Sequence, residues 1–425
     1  MIVCVENWNK IKKSANCISE VIGMAYKTLL KTYYKDKTEY EELYEKRINS
    51  ENTKFLDVKI HNNQAFYCLC PDIHELTCKI MELDKKIQGL KNTLPGDAII
   101  QFANKCLVDE ILLTNDIEGV YSTRKEIKII VDEANENHKK GKRRFQGLVN
   151  RYLMLVDNKI ELNNCEDIRK IYDELVLPEI IEDDPEKAPD GEIFRKDMAE
   201  VATATQKVIH KGVYPEEKII DYMESSLKML KDDSIPDLVS ISIFHYLFGY
   251  IHPFYDGNGR TSRFISSYLL SRYFDYLISY SLSYTIKENI SAYYDSFKIC
   301  NDERNKGDVT PFIITFLTII HKAFEKLYEA LYDRRILLNK TLSDLAKHDF
   351  ASNEEMKLLC IFLVRTSLFS KDGISKKALS ELLEISETTL RKRLSILKER
   401  GLLIEKTVGK FKHYAIDIDK LNSDM

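Results

Sequence analysis

A mainly α-helical protein is what this sequence predicts, and three observations carry that expectation. Proline (9) and glycine (15) are scarce in 425 residues, so the chain lacks the punctuation of a strand-and-turn protein. Leu, Ile, Lys and Glu are abundant. Apolar residues recur at three- and four-residue spacing through most of 76–335. The length favours two or three domains, and 44% hydrophobic residues with a net charge of −4 describe a folded globular chain.

Residues 1–75 read as an N-terminal extension. Ile18, Val21, Ile22, Ala25 and Leu29 have helical spacing, and β-like runs at 54–60 and 65–69 flank a polar stretch around His61, as in a hairpin. Helices follow at 76–90, 99–117 and 125–136. Pro95 opens the second of these and Gly119 stands where a C-terminal cap belongs. The basic run 138–144 reads as a solvated loop, and the acidic, proline-bearing 178–191 as another. An alternating stretch at 201–213 suits a short hairpin. Residues 216–230 and 238–251 are strongly helical, and the latter leads straight into His252.

From about residue 350 the pattern changes. A helix at 356–365, a second opened by the cap Ser375, a turn at 385–387 and a third helix at 388–400 are followed by strands at 402–406 and 410–416. That order is the outline of a winged helix-turn-helix domain over 350–425.

Nine cysteines at irregular spacing include no CxxC pair and read as free thiols in a reducing compartment. Residues 1–13 lack a signal-peptide core, and the apolar stretch 311–320 is too short to span a bilayer. A cytoplasmic location and no membrane partner are expected.

The segment His252-Pro253-Phe254-Tyr255-Asp256-Gly257-Asn258-Gly259-Arg260-Thr261-Ser262-Arg263 carries the chemistry. Pro253 cannot continue the incoming helix, so the His252 imidazole sits at a helix end. Gly257 and Gly259 let successive N–H groups turn inward as an anion nest, which opens onto the N-terminus of the next helix. Arg260 and Arg263 are three apart on that helix and suit a polyphosphate. Asp256 is the lone carboxylate, enough for Mg²⁺ that is otherwise ligated by phosphate and water. His252 is then a candidate general base. The chain has no GxxxxGK[ST] loop and no dinucleotide fingerprint.

These twelve residues resemble the Fic family signature, His-x-Phe-x-(Asp/Glu)-Gly-Asn-Gly-Arg-x-x-Arg, at every defined position. The resemblance extends over about 260 residues and implies a domain at 76–335: a helical-bundle core with 201–213 as a β-hairpin flap. It implies an enzyme that moves AMP from ATP onto a Ser, Thr or Tyr hydroxyl of a target protein or of itself. On the matching positions, His252 would be the base and Asp256 the Mg²⁺ ligand. Phe254 would anchor the loop. Gly257, Asn258, Gly259 and Arg260 would hold phosphates, Arg263 would reach the γ-phosphate, and Tyr294 and Asn305 would meet the nucleoside.

Thr114-Asn115-Asp116-Ile117-Glu118-Gly119 resembles the family's inhibitory motif, (Ser/Thr)-x-x-x-Glu-(Gly/Asn). Thr114 and Glu118 are four apart and share a helix face. The resemblance implies that Glu118 pairs with Arg263 and keeps the γ-phosphate from its productive place, or positions a water that removes AMP again. In the C-terminal module, Arg391, Lys392, Arg393, Lys398 and Arg400 with Lys406, Lys410 and Lys412 suit DNA, while Glu381, Glu384, Glu387 and Glu399 dilute the field. The rival to a modifying enzyme is therefore a DNA-binding regulator that senses nucleotide. ATP, an unidentified target protein, DNA and a second copy of the chain are the partners in view.

Overall fold

The computed structural model describes residues 26–135, 143–157, 160–202, 208–408 and 411–423. Most of the helix expected around 18–29 and most of the basic run 138–144 lie outside these. Two short helices, α1 (Leu29–Lys35) and α2 (Lys37–Ile48), precede the antiparallel pair β1 (Thr53–Ile60) and β2 (Asn63–Cys68). Cys70 leaves the strand and becomes the N-cap of α3 (Pro71–Lys91). Next come α4 (Gly96–Ile117), α5 (Arg124–Asn135), α6 (Gln146–Leu153) and α7 (Cys165–Leu175). The first part of the loop expected at 178–191 instead belongs to the short helix α8 (Leu177–Asp183). Pro178 lies in its first turn, where the missing N–H costs nothing, and Glu179 and Ile180 turn inward and bury.

The flap is a minimal hairpin, β3 (Glu200–Ala202) against β4 (Val208–Lys211). It is followed by α9 (Glu216–Met229), α10 (Asp237–Ile251), α11 (Asn258–Tyr273), α12 (Tyr276–Ser279), α13 (Leu282–Glu288) and α14 (Ile290–Asn301). The spine is α15 (Thr310–Leu345), with Phe312, Phe316, Ile320, Ala323, Leu327 and Leu331 as a continuous buried stripe. Its second half carries a thinner stripe, Leu338 and Leu345, and leads into the C-terminal domain. There α16 (Glu354–Phe369), β5 (Ile374–Ser375), α17 (Lys376–Leu382), α18 (Glu387–Glu399), β6 (Leu403–Val408), β7 (Phe411–Ile416) and α19 (Ile418–Ser423) form a winged helix with strand order β5-β7-β6. Ser375 caps α17 as expected, accepting from the Ala378 N–H at 3.2 Å. Strand β5 was not foreseen, because two residues give no periodicity to read.

Among the described residues no helix is long and apolar enough to cross a membrane. The seven described cysteines are unpaired, and no cluster of His, Cys, Asp and Glu there is arranged as a resident metal site.

Helix α10 explains the rest of the arrangement. Almost every residue from Leu238 to Ile251 is buried, so it has no solvent face and becomes the axis around which other helices pack. Its His245 is fully buried between the Ser266 hydroxyl (2.7 Å, Nδ1) and the Tyr293 hydroxyl (2.7 Å, Nε2), which ties α10 to α11 and α14. Burial, with Arg263 nearby, pushes its pKa down to about 3. The unfolded chain takes up this proton near the ordinary pKa, whereas the native state resists it. This contribution is therefore complete above pH 6.5 and is lost on acidification toward about 3, by up to ~1.4 kcal/mol per pH unit. Urea unfolding at pH 7, 6 and 5 tests this: the stability gap between the wild-type chain and His245→Gln should narrow as pH falls, and parallel slopes would refute the assignment.

Candidate active site

The candidate loop begins where α10 ends. His252 takes a left-handed backbone conformation (φ 54°), which lets Pro253 follow without continuing the helix. Two neighbours fix that end. Val213, just after the flap, donates its N–H to the Ile251 carbonyl (3.0 Å), and Arg195 Nε donates to the His252 carbonyl (2.9 Å). Arg195 is fully buried, and its recorded hydrogen bonds all go to main-chain oxygens, among them Val213 (2.8 Å). A cation in this place acts on the imidazole. Burial, His210 and Arg195 together push the His252 pKa down to about 3, so the ring is neutral across the physiological range.

Phe254 is the loop's anchor. Its ring is fully buried, stacked on Tyr172 at 3.7 Å and edge-on to Phe194 at 5.5 Å. The Asn258 side chain closes the loop from inside: its Oδ1 accepts from the Phe254 N–H (3.0 Å) and its Nδ2 donates to the Phe254 carbonyl (2.7 Å). Gly257 starts α11 at φ 77°, and a Cβ there would come within 2.9 Å of Val176 and Ile180. Only glycine meets both demands.

The first two turns of α11 present two arginines in different ways. Arg260 is buried and donates through Nη1 to Glu179 of α8 at 2.9 Å, a partner the sequence did not announce. Arg263 is 1% exposed and has three acceptors on α4: Nε to the Thr114 hydroxyl (2.9 Å), Nη2 to the Thr114 carbonyl (2.9 Å) and Nη1 to Glu118 (2.8 Å). Burial opposes its charge, but Glu118, Tyr293 and Tyr152 together outweigh that and hold the guanidinium pKa above its ordinary value. Glu118 is the C-cap of α4, with Gly119 next in the left-handed region and the Val120 N–H returning to the Asn115 carbonyl (2.9 Å), a Schellman closure. Its carboxylate lies against Gly259, so that a Cβ at 259 would strike it.

Asp256 is partly exposed, accepts from the Gly257 N–H (2.6 Å) and pairs with Lys187 at 3.1 Å. Tyr294 is 44% exposed, stands edge-on to Tyr293 and feels the charges of Glu118 and Arg263, which places it at the clamp. Asn305 stands apart. It is fully buried, and its amide donates to the Asp308 carbonyl (2.5 Å) in a turn that grips β2 through Phe66 and α2 through the Arg47–Asp308 pair (3.0 Å). None of its recorded hydrogen bonds reaches the loop.

Sequence reasoning missed Arg195, Glu179 and Glu110. Glu110 is fully buried one turn before Thr114 and accepts from the Ser283 N–H through both oxygens (3.0 and 2.8 Å). Burial raises its pKa to about 7. The four-residue spacing of Glu110, Thr114 and Glu118 puts them on one face of the helix and was there to be read.

Residues 162–270, which include the loop and the helix before it, match the Fic/DOC family, and residues 364–415 match an HTH domain. The chain carries a Fic domain. Protein adenylyltransferase Fic of Drosophila grimshawi is 33% identical over 95 residues, 22% of this chain and 18% of that one. The protein of the same name in Drosophila melanogaster is 39% identical over 72 residues, 17% and 13% of the two chains. The match thus spans less than a fifth of these relatives. A Fic family protein from Desulfovibrio desulfuricans G20 aligns over 83% of this chain and 97% of its own, at 19% identity and a TM-score of 0.49. Fic-1 from C. elegans aligns over 61% and 74%, at 18% identity and a TM-score of 0.41.

The Arg260–Glu179 pair of the Fic domain is nearly solvent-free, and removal of one partner leaves a buried charge. Glu179→Ala should cost about 3–5 kcal/mol in denaturant unfolding. A loss below about 1 kcal/mol would show that the pair is not needed for the loop's place.

Proposed function

We propose that this Fic domain transfers AMP from ATP to a hydroxyl side chain of a protein, on a target or on itself, and that Glu118 holds it off. One observation carries the reading: the second arginine of a complete Fic loop is clamped by Thr114 and Glu118 directly over the N-terminus of α11. The partial similarity to proteins named adenylyltransferases supports AMP as the group moved.

The chain's residues suit the steps. A neutral His252 takes the proton of the incoming hydroxyl, whose oxygen then forms a bond to the α-phosphorus while the bond to pyrophosphate breaks. The first-turn N–H groups of α11 and their dipole favour phosphate there. Arg263 would hold the γ-phosphate once Glu118 withdraws, since the carboxylate now occupies its donor and repels the anion. A single accessible carboxylate at Asp256, whose present partner Lys187 is itself half exposed, fits Mg²⁺ arriving with the triphosphate better than a resident metal. When bound, the ion would neutralise phosphate charge.

Glu118→Gly should raise labelling of the chain or of extract proteins from labelled ATP at least tenfold, and His252→Ala in that background should abolish it with nucleotide binding retained. Because the His252 pKa is depressed, the rate should show no acid limb centred near pH 6.5. No labelling by Glu118→Gly with any labelled nucleotide would refute the reading, and AMP released from a labelled protein would instead favour removal.

A second role rests on a separate observation. Thr388, Arg391, Lys392 and Ser395 are all exposed at i, i+3, i+4 and i+7 of α18, a face of two cations and two hydroxyls, with the exposed Glu399 one turn beyond Ser395. Such a face suits the major groove of duplex DNA. Salt-sensitive DNA binding should survive His252→Ala and fall at least tenfold in Arg391→Ala/Lys392→Ala; equal binding by both variants would exclude this face.

A further inference from the structure

We propose that the C-terminal helix-turn-helix domain holds the inhibitory helix α4 in its Arg263-clamping position, so that the Fic site is regulated through that domain; this rests on the reading of Glu118 as a brake.

Helix α4 is a shared wall. With about 3.6 residues per turn, positions nine apart fall on opposite sides, so Asp109 faces away from Glu118. The side that includes Glu110, Thr114 and Glu118 faces α11 and α13. The C-terminal domain meets the first half of α4 directly and its later part through α5. Arg365 of α16 pairs with Asp97 in the first turn of α4 at 2.9 Å. Phe369, at the end of α16, is fully buried and edge-on to Phe102 at 6.5 Å and 82°. Further along, Arg124 pairs with Asp109 of α4 and, at 3.4 Å, with Asp372 in the turn before β5. Next to it, His413 of β7 is buried 3.7 Å from Asp132 of α5.

These contacts matter because α4 takes its tilt from the C-terminal domain as well as from α13 and α5. Its C-terminal turn holds a buried arginine that must be met by a carboxylate, and the geometry of three hydrogen bonds near 2.9 Å tolerates little drift. A helix packed between two bodies takes its position from both. The contacts made by α16 are to α4 itself, whereas those of Asp372 and His413 run through α5 and the residues joining it to α4. The pairs are partly buried, with side chains 16–22% exposed for Arg365–Asp97 and Arg124–Asp372, so they orient more than they stabilise. The domain reaches the brake through α16, whose other end carries Glu355 paired with Arg393 of α18. A shift at α18 therefore has a single helix to cross before it meets α4.

The test uses the full chain with Arg365→Ala/Asp372→Ala, which touches neither the loop nor the clamp. Amide exchange over residues 107–118 should quicken about tenfold, within the usual ~5–150-fold range of coupling between sites. Transfer from labelled ATP should rise in parallel, and the same substitutions added to Glu118→Gly should give no further rise. Exchanging the charges of one pair, Asp97→Arg with Arg365→Asp, should restore slow exchange. Unaltered exchange at 107–118 in a variant whose C-terminal domain exchanges faster would overturn the proposal, and so would a further rise in the Glu118→Gly background. Exchange is read without turnover, so a chain that transfers no nucleotide would sink the adenylyltransferase reading and still decide whether the domain holds α4.

Discussion

The Arg263 guanidinium is the constraint around which this molecule is built. A cation with 1% exposure is tolerable only if acceptors surround it, and here all three come from the last turns of one helix. That requirement brings α4 against α11 and sets Glu118 at its own helix end, over Gly259. The loop's other arginine obeys the same rule with a different partner: Arg260 is met by Glu179, which pins α8 beneath the loop. A third, Arg195, is met by carbonyl oxygens alone and closes the far side at His252. Three buried cations thus define three walls of one site.

The loop is rigid for reasons of its own. Asn258 and Phe254 bond to each other, Phe254 stacks on Tyr172, and Gly257 has no room for a side chain. The functional groups of His252 and Asp256 are carried at the edges of this plug, which separates the parts that hold shape from those that can meet a substrate.

Much of this was legible in the sequence. The helical class, the hairpin at 54–69, the winged-helix order and the pairing of Glu118 with Arg263 all follow from spacing, caps or resemblance, which are local signals. What was not legible is long-range. Glu179 sits in a segment whose proline and acidic residues read as loop, and its value comes only from Arg260, far along the chain. Asn305 was placed near the nucleoside by resemblance, while its side chain serves the turn that grips the N-terminal hairpin. Arg195 has no charged partner to suggest it, because main-chain carbonyls leave no trace in a sequence. Glu110 could have been found from its four-residue spacing to Thr114.

Helix α10, buried on every side, has one more consequence. No residue along it can change polarity without loss of the core, so the histidine at its end stands on ground that variation cannot easily alter. The flap beside it consists of two strands of three and four residues. The core thus fixes where His252 stands, while the small margin beside it could be redrawn without disturbing that place.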